Sequence, residues 1–438
     1  MRDLNFEIRR MDNLHRAWGV VKANVLASGK DEFRAQVEQI SRNPIGYLRS
    51  IQGRLQRNTF KFGLQRGVPI RKKTGGHRPI VIAPIENRIV QHAILNVLQS
   101  DYPNVSSRLG EIPTIIRTRT SVGGVPERGV PDAIKVVQEA MDNHQTTYLR
   151  SDIKAFFTKI PKIDVVDLVR DQTKDADFAN FLAQALTTEL ENEEEIKGLV
   201  HLFPTTDSGV PQGSSLSALC GNIVLRRFDK ELNGRGITTI RYIDDFVILG
   251  PSERTVRKTF LSAERILKTT GMEAYDPESD PGKAEKGHLK NGMDFLGYRV
   301  LIDSVMPSRT SRQRFLNDLR TTIRDGKRRI SDQISFDGPR RAEKTYVQIL
   351  DHLDNKIRGW GDAFSCSTTT LPFTQLDKTI DDLLAGFDDW YAARTRRLDG
   401  KTKRRARGIA LLSDTPFHEP SEDTSKEFRN DQSVSQAS

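Results

Sequence analysis

The feature of this sequence that most restricts its fold is a pair of adjacent acids inside an apolar segment. Asp244 and Asp245 interrupt residues 237–250, which are otherwise mostly apolar or β-branched. This pattern predicts a β-hairpin with two carboxylates at its tip. Neighbouring carboxylates that lose their water raise each other's pKa and destabilise the fold unless a cation compensates them. A structural or solvated pair at a turn is the alternative interpretation.

A third acid, Asp152, ends another apolar segment 92 residues before Asp244. Residues 146–152 predict a buried strand that stops at this aspartate. If the two strands are neighbours, three carboxylates converge on one spot. Two Mg2+ ions held ~3.5–4 Å apart require such oxygen ligands, and all-oxygen ligation leaves Mn2+ as the alternative and disfavours zinc. Two-metal sites of this kind perform in-line phosphoryl or nucleotidyl transfer.

The balance of charge indicates a polyanionic partner. The 438 residues include 68 Lys and Arg against 58 Asp and Glu, a net charge of +10. Residues 412–438 contain six acids and two bases, so this segment carries −4 and the rest of the chain +14. Such a surplus favours nucleic acid through counterion release, with solubility as the other explanation. We expect the acidic, Ser-rich tail to be disordered.

Composition excludes several other classes of protein. With 36% hydrophobic and 29% charged residues, and a length that suggests about three domain-sized units, the chain is typical of a globular protein. Its two cysteines, Cys220 and Cys366, build neither a disulfide framework nor a Cys-based zinc site. No apolar run approaches the ~18 residues of a membrane span, and the first residues lack a signal-peptide core. We therefore expect a cytoplasmic protein that neither enters a membrane nor is secreted.

The first half of the chain gives three predictions of secondary structure. The first 60 or so residues have a helical pattern with interleaved Arg and Lys. Gly75-Gly76 separates a basic strand edge from the apolar run 79–83, which predicts a hairpin that carries basic residues. The apolar residues from Ile89 to Leu98 then follow the spacing of an amphipathic helix.

The chain after residue 188 gives four more. Residues 189–195 are rich in Glu and predict a solvated helix face. A Gly/Pro/Ser turn within residues 208–225 opens into a helix of small and apolar residues. From residue 301 the pattern is strongly helical, and the helical spacing over 376–391 is followed by a cationic flank at 394–407.

These blocks resemble the ordered motifs of a known family. Tyr242-Ile243-Asp244-Asp245 is similar to the Tyr-x-Asp-Asp signature of reverse transcriptases. Residues 152–157, Asp-Ile-Lys-Ala-Phe-Phe, resemble the first catalytic block, and Pro211-Gln212-Gly213-Ser214 resembles the Pro-Gln-Gly block. Further similar segments follow the family's order: 75–80 with 87–91 (fingers of bacterial members), Gly282-Lys283 and 295–298 (last palm blocks), and 356–360 (thumb of group II intron-type enzymes). The resemblance covers about residues 40–400, and the ordered set is specific.

The resemblance implies an α+β fold of the right-hand polymerase type, with fingers, an antiparallel-sheet palm and a helical thumb. We predict four parts along the chain. These are N-terminal helices and fingers at 1–145, a palm with the catalytic strands at 146–300, a helical thumb at 301–411, and the acidic tail at 412–438.

The resemblance also implies roles for individual residues. Asp152, Asp244 and Asp245 would bind the metals, and Ile153 would contribute its backbone carbonyl. The substrate-side residues are Arg78 with Lys72 or Lys73 (the triphosphate), Phe157 (under the sugar, selecting dNTPs over NTPs), Gln212 and Gly213 (the nascent base pair), Tyr242 of the signature, and Lys283 (general acid to pyrophosphate). Core packing for Phe157, a plain turn for Gly213 and solvated surface for the lysines are the competing interpretations.

The predicted function is RNA-directed DNA synthesis from dNTPs on a primer, with an RNA template and a DNA product. One alternative is a non-catalytic RNA-binding or splicing-helper protein, motivated by the cationic residues at 394–407. The other is a polymerase that adds nucleotides without a template or synthesises RNA. The sequence shows no zinc-ligand cluster or His-Asn-His pattern after the thumb, which favours a free-standing bacterial enzyme. The resemblance then implies a role in antiviral defence, because the stand-alone members of the family include defence-associated types. The template, which could be a dedicated non-coding RNA, the primer and the oligomeric state stay open.

Overall fold

The computed structural model describes residues 3–28, 31–72, 75–234, 236–335 and 345–414, apart from the side chains of residues 31, 32 and 414. The chain divides into two compact units, unit 1 (Met1–Ser304) and unit 2 (Val305–Ser438). Lys73 lies outside the described residues, as does the predicted tail from residue 415 onward. Within the described ranges, no helix has the length and apolar character that crossing a membrane requires.

Unit 1 combines helices with two β-sheets and a short hairpin. Its helices are α1 (Leu4–Ile8), α2 (Met11–Ser28), α3 (Asp31–Arg42), α4 (Pro44–Gln56), α5 (Ile85–Leu98), α6 (Pro103–Ser106), α7 (Ile112–Ile116), α8 (Val130–Asp142), α9 (Phe156–Lys159), α10 (Lys162–Thr173), α11 (Ala176–Leu186), α12 (Ser217–Val224), α13 (Arg226–Glu231) and α14 (Glu253–Thr269). Its strands are β1 (Arg66–Arg71), β2 (His77–Ile82), β3 (Thr147–Asp152), β4 (Thr238–Tyr242), β5 (Asp245–Gly250), β6 (Glu285–His288), β7 (Met293–Phe295) and β8 (Tyr298–Val300). Short 3-10 turns cover Lys197–Leu202 and Leu289–Asn291.

The predicted helices before residue 60 and the basic hairpin are both confirmed. Helices α1 to α4 fill the first segment, and β1 pairs antiparallel with β2. Gly75 and Gly76 turn the chain between the strands with φ of +90° and +74°, a region that glycine enters without steric cost. The amphipathic helix follows as α5, and its apolar residues face the large core of unit 1.

The Glu-rich stretch 189–195 is not a helix, so that prediction is wrong. It is an ordered turn that lies against β1. The backbone N–H and C=O of Gln65 both bond to the stretch, at 2.8 and 2.9 Å, and the side chain of Asn192 exchanges hydrogen bonds with Gly67. Arg66 forms ion pairs with two of its glutamates. These bonds to Gln65 and β1 pair backbone groups of the stretch that would otherwise need the hydrogen bonds of a helix.

The central sheet of unit 1 has four antiparallel strands in the order β4-β5-β3-β6. Strand β5 is apolar and buried along most of its length because it lies in the middle of the sheet. Helix α14 packs on β3 and β5, and its Phe260 ring stacks on Phe246 with 6.4 Å between ring centroids. The sheet thus fixes the backbone of β3, which ends at Asp152, and of β5, which begins at Asp245, against a well-packed core.

Unit 2 is almost entirely helical, as the pattern after residue 301 predicts. Its elements are β9 (Val305–Pro307), α15 (Arg309–Ile334), α16 (Tyr346–Ala363), α17 (Leu371–Thr395), α18 (Gly400–Arg407) and a 3-10 turn at Leu412–Asp414. The predicted stripe on α17 is mostly buried, with Leu383 partly so. Aromatic rings fill much of the core, including Phe315 on Trp360 at 4.5 Å and Tyr346 on Tyr391 at 4.1 Å between centroids.

Candidate active site

The strand register brings the three predicted acids together. Asp152, the last residue of β3, is paired with Asp245, the first residue of β5. The N–H of Ile153 donates to the carbonyl of Asp244 at 3.1 Å, so the chain after Asp152 stays beside the hairpin turn. The prediction that the two strands are neighbours is confirmed, and the three carboxylates lie at one end of the sheet.

The hairpin between β4 and β5 closes through a turn of two residues, Ile243 and Asp244. Tyr242 is paired with Asp245 at its base. Ile243 has φ of +62°, a left-handed conformation that is unusual for a β-branched residue. The backbone of Gly123 packs against this turn so closely that a Cβ there would lie 2.4 Å from the nitrogen of Ile243. The loop before α8 therefore supports the acidic turn from one side.

The electrostatics of the three acids show an excess of negative charge. Burial, followed by the charges of Asp244 and Asp245, raises the pKa of Asp152 to about 7. Burial, followed by the charge of Asp244, also raises the pKa of Asp245, against the opposing effect of Arg150 and Lys283. In addition, Oδ1 of Asp152 is buried without a hydrogen-bond partner. A cation is the group that would relieve this arrangement.

The residues present fit a divalent cation of the magnesium type. All three donors are carboxylates, the oxygen ligands that Mg2+ and Mn2+ take, and one of their buried oxygens is unsatisfied. Among the described residues, however, no three His, Cys, Asp or Glu side chains stand as a preformed metal site. The register of the strands brings the acids to the same end of the sheet.

Phe157 lies between the core and the surface. Its neighbour Phe156 is buried and packs so tightly on Gly221 that a Cβ there would lie 2.4 Å from the ring. The Phe157 ring is half-buried, 5.1 Å from the ring of Phe156. Its carbonyl accepts a hydrogen bond from the N–H of Val210 at 2.7 Å, just ahead of the Pro-Gln-Gly block. One face of Phe157 thus packs while part of the ring stays accessible.

The Pro-Gln-Gly block is attached to the basic hairpin. The N–H of Val81 on β2 donates to the carbonyl of Gln212 at 3.1 Å. Gly213 has φ of +125°, and a Cβ there would lie 2.9 Å from the carbonyl oxygen of Val81, so both conformation and space require glycine. Arg78 on β2 and Lys72 at the end of β1 are exposed. The exposed cations therefore lie on the same hairpin to which Gln212 and Gly213 are attached.

Two lysines flank an aromatic ring beside Asp152. The N–H of Tyr275 donates to the carbonyl of Asp152 at 3.1 Å. Nζ of Lys154 lies 5.0 Å and Nζ of Lys283 5.8 Å from the centroid of the Tyr275 ring. Lys154 also pairs with Asp280 at 3.6 Å. Lys283, a predicted site residue, is therefore close to the carboxylates, and Lys154 is a second nearby cation that the sequence analysis did not single out.

Arg241 is another residue that the sequence analysis missed. Its side chain is fully buried behind the acidic turn, where it forms an ion pair with Asp229. The signal was present in the sequence, because an arginine inside an apolar β-branched strand is almost never buried without a partner. The partner could not be identified, since nothing in the pattern marks Asp229 on α13 as facing inward.

A sheet with carboxylates at one end and cations beside them is typical of nucleotidyltransferases of the polymerase class. The family model for reverse transcriptase (RNA-dependent DNA polymerase) matches residues 70–300, just over half of the chain, and this range includes every predicted site residue. The chain belongs to this family. The predicted enzyme class, RNA-directed DNA polymerase, and the α+β right-hand polymerase fold are thereby confirmed.

Individual relatives show the same similarity over different lengths. Protein YkfC of Escherichia coli (strain K12) is 25% identical over 326 residues, which cover 65% of this chain and 80% of YkfC. The group II intron-encoded protein LtrA of Lactococcus lactis subsp. cremoris is 27% identical over 161 residues, 36% of this chain and 24% of LtrA. The chain thus spans about a quarter of LtrA. Among solved structures, telomerase from Candida albicans in complex with a fragment of telomeric RNA matches with a TM-score of 0.42 and 13% identity, over 86% of this chain and 65% of that one.

Proposed function

We propose that this chain extends a primer with dNTPs on an RNA template by two-metal nucleotidyl transfer. The observation that supports the proposal is the convergence of Asp152, Asp244 and Asp245 on one end of the sheet, with the pKa of Asp152 raised to about 7. These carboxylates would hold two Mg2+ ions, or Mn2+, and the carbonyl of Ile153 would be a further ligand. When bound, such ions activate the attacking 3'-hydroxyl and stabilise the leaving pyrophosphate.

The chain's own residues then have distinct tasks around this centre. Asp152 must lose its proton before it can act as a ligand, because only the ionised carboxylate binds a cation well. Lys283, whose Nζ lies 5.8 Å from the centroid of the Tyr275 ring, would return a proton to the leaving pyrophosphate. Tyr242 pairs with Asp245 at the base of the turn and would keep the two acids facing the primer end.

The basic hairpin would bind the incoming nucleotide. Arg78, together with Lys72 or Lys73, would contact its triphosphate, and the guanidinium of Arg78 suits this task because it bonds to phosphate oxygens in a bidentate manner. Gln212 and Gly213 would line the nascent base pair, since the missing side chain of Gly213 permits close approach. The accessible part of the Phe157 ring would lie under the sugar and reject a 2'-hydroxyl.

In this proposal the segments of the chain correspond to the subdomains of a right-hand polymerase. Residues 1–145 form N-terminal helices and fingers, 146–300 the palm, and 301–411 the thumb. Helix α18 carries Lys and Arg at five of its eight positions, which supports a role in binding the RNA template and the DNA product.

The direct test is primer extension on a defined RNA template with Mg2+ and labelled dNTPs. Replacing Asp244 and Asp245 together with Asn should lower incorporation by at least about a thousandfold, since groups that act as a unit lose their effect together. The matched control is Asp294→Asn, which removes an exposed carboxylate on β7 and should retain activity. Incorporation that survives the double substitution in folded protein would contradict the proposal.

The same assay separates the alternatives. DNA complementary to the template supports reverse transcription, whereas a homopolymer made without a template supports untemplated addition. The cations of α18 favour the alternative of a non-catalytic RNA-binding protein. Such a protein would bind RNA and keep its cellular activity after Asp244 and Asp245 are replaced.

Antiviral defence stays a prediction about the biological setting. Cells that express the chain should then reduce phage plating, and the Asp244→Asn, Asp245→Asn double variant should not. Equal plating on cells with either protein or with neither would contradict a defence role for the phages tested.

A further inference from the structure

The guanidinium of Arg241 connects the acidic turn to three other parts of unit 1. Nε and Nη2 donate to the two carboxylate oxygens of Asp229, at 2.8 and 2.6 Å. Nη2 also donates to Oγ of Ser121 at 2.6 Å and to Oδ1 of Asn222 at 2.9 Å. Nη1 donates to the carbonyl of Ile243, inside the turn, at 2.8 Å. These partners lie on α13, on α12 and on the loop before α8.

We infer that Arg241 is a positioning residue for the reaction. Its guanidinium, fixed by Asp229, holds the carbonyl of Ile243 and so keeps the turn that presents Asp244 and Asp245 to Asp152. This inference rests on the proposed function, because it assigns a mechanical role to the support of the proposed metal ligands.

The first step of the argument concerns the burial of Arg241. Its side chain has no solvent exposure, and that of Asp229 is only 2% exposed. Buried ion pairs are weak contributors to net stability compared with apolar residues of similar size, so packing alone does not account for this pair. An arginine does provide what an apolar residue cannot, namely a rigid fork that bonds Asp229 and the turn carbonyl at the same time.

The second step concerns the turn itself. Ile243 is held at φ +62°, where a β-branched residue is sterically disfavoured. Strained backbone persists only where surrounding contacts hold it. The bond from Nη1 of Arg241 reaches the carbonyl of the strained residue, and Asn222 completes the support by donating to the carbonyl of Gly123 at 3.1 Å. Release of the guanidinium would let the turn relax and shift the two acids that follow.

The test compares full-length Arg241→Lys with the unsubstituted enzyme in primer extension over a series of Mg2+ concentrations. A lysine keeps the charge beside Asp229 but lacks the fork that reaches Ile243. We expect kcat to fall about tenfold, which corresponds to a barrier higher by about 1.4 kcal/mol. The half-saturating Mg2+ concentration should rise about threefold, and the KM for dNTP should change less than about twofold, because the substitution affects the reaction step more than dNTP binding. Unchanged kcat and Mg2+ requirement in folded protein would overturn the inference.

Two controls separate positioning from stability and from the proposed function. Leu182→Ala on α11 removes buried apolar volume away from the turn, and should lower the melting temperature without changing the Mg2+ requirement. Asp244→Asn is assayed alongside. If it remains active, the proposed function fails; if it is inactive while Arg241→Lys equals the unsubstituted enzyme, only the positioning role fails.

Should Arg241→Lys not fold, Ser121→Ala replaces it, because that variant removes one acceptor of the guanidinium and leaves the ion pair. It should raise the half-saturating Mg2+ concentration about twofold, because this variant loses only part of the free energy that a hydrogen bond contributes. No change in the Mg2+ requirement would overturn the inference.

A double-mutant cycle with Ile243→Gly adds a second readout. Glycine adopts φ +62° freely, so the loss of kcat from the change at Arg241 or Ser121 should be smaller in that background. An equal loss in both backgrounds would contradict a role in holding the turn.

Discussion

In unit 1 the ion pair of Arg241 and Asp229 lies inside the fold and three acids crowd one end of the sheet, whereas unit 2 buries no charged side chain among its described residues. Aromatic rings occupy the corresponding interior of unit 2, and its charges lie on helix surfaces. Chemistry on a phosphate requires charges that are desolvated and fixed in position, which strands within a sheet provide. Binding a long polyanion requires only accessible cations, for which helix surfaces suffice.

The largest expected effect comes from removing the buried charge of Arg241. Arg241→Met leaves Asp229 buried without its partner, so the free energy of unfolding should fall by about 3–5 kcal/mol. Chemical denaturation of the full chain measures this change. The matched variant in unit 2 is Arg358→Met, which breaks an exposed pair with Asp354 and should leave the unfolding midpoint unchanged. Equal effects in the two units would remove the contrast between them.

A comparison of two aromatic residues tests whether rings serve different purposes in the two units. Phe157→Ala should raise the use of NTPs relative to dNTPs by about tenfold, the effect of roughly 1.4 kcal/mol of lost discrimination. Competition between the two nucleotides in primer extension gives the ratio. Phe387→Ala, in the core of unit 2, should lower stability and leave this ratio unchanged. A ratio unaffected by Phe157→Ala would show that this ring only packs.

Replacing the protonatable acid of the site should reveal its electrostatic strain. Because the pKa of Asp152 is raised from 3.8 to about 7, the folded protein keeps a proton that the unfolded chain releases, and this contribution to stability is lost as the pH rises toward the folded value. Asp152→Asn cannot ionise. In metal-free protein, its melting temperature should exceed that of the unsubstituted chain by a few degrees at about pH 8, and by less at about pH 5. A difference that does not depend on pH would contradict the strained carboxylate.

The smallest expected effect concerns one surface cation of unit 2. Arg404→Ala on α18 should weaken RNA binding about equally for different sequences and reduce the dependence of log affinity on log salt by about 0.7–0.9, the share of one phosphate contact. Filter binding at several salt concentrations measures the slope. Lys258→Ala, an exposed cation on α14 of unit 1, is the control and should leave the slope unchanged.

The parts of the site that the sequence predicted share one property, namely that their pattern is local. Runs of apolar and β-branched residues identify the strand before Asp152 and the hairpin at Asp244, and the acids stand where these runs stop or are interrupted. Gly75 and Gly76 mark a turn by their own conformational freedom. The prediction for the Glu-rich stretch 189–195 is wrong for the complementary reason, since its partner Gly67 on β1 lies 125 residues away from Asn192 in the chain.

By itself, the sequence determined which residues are candidates for the chemistry: three acids at strand ends, a basic hairpin and a cationic flank at 394–407. Only the tertiary structure decided how these residues are held. The pairing of Asp152 with Asp245, the bond from Arg241 to Ile243 and the attachment of Gln212 to β2 all join residues from separate elements. The physical reason is that periodicity records how each segment divides its residues between core and solvent, whereas partner choice within the core depends on packing of the whole fold.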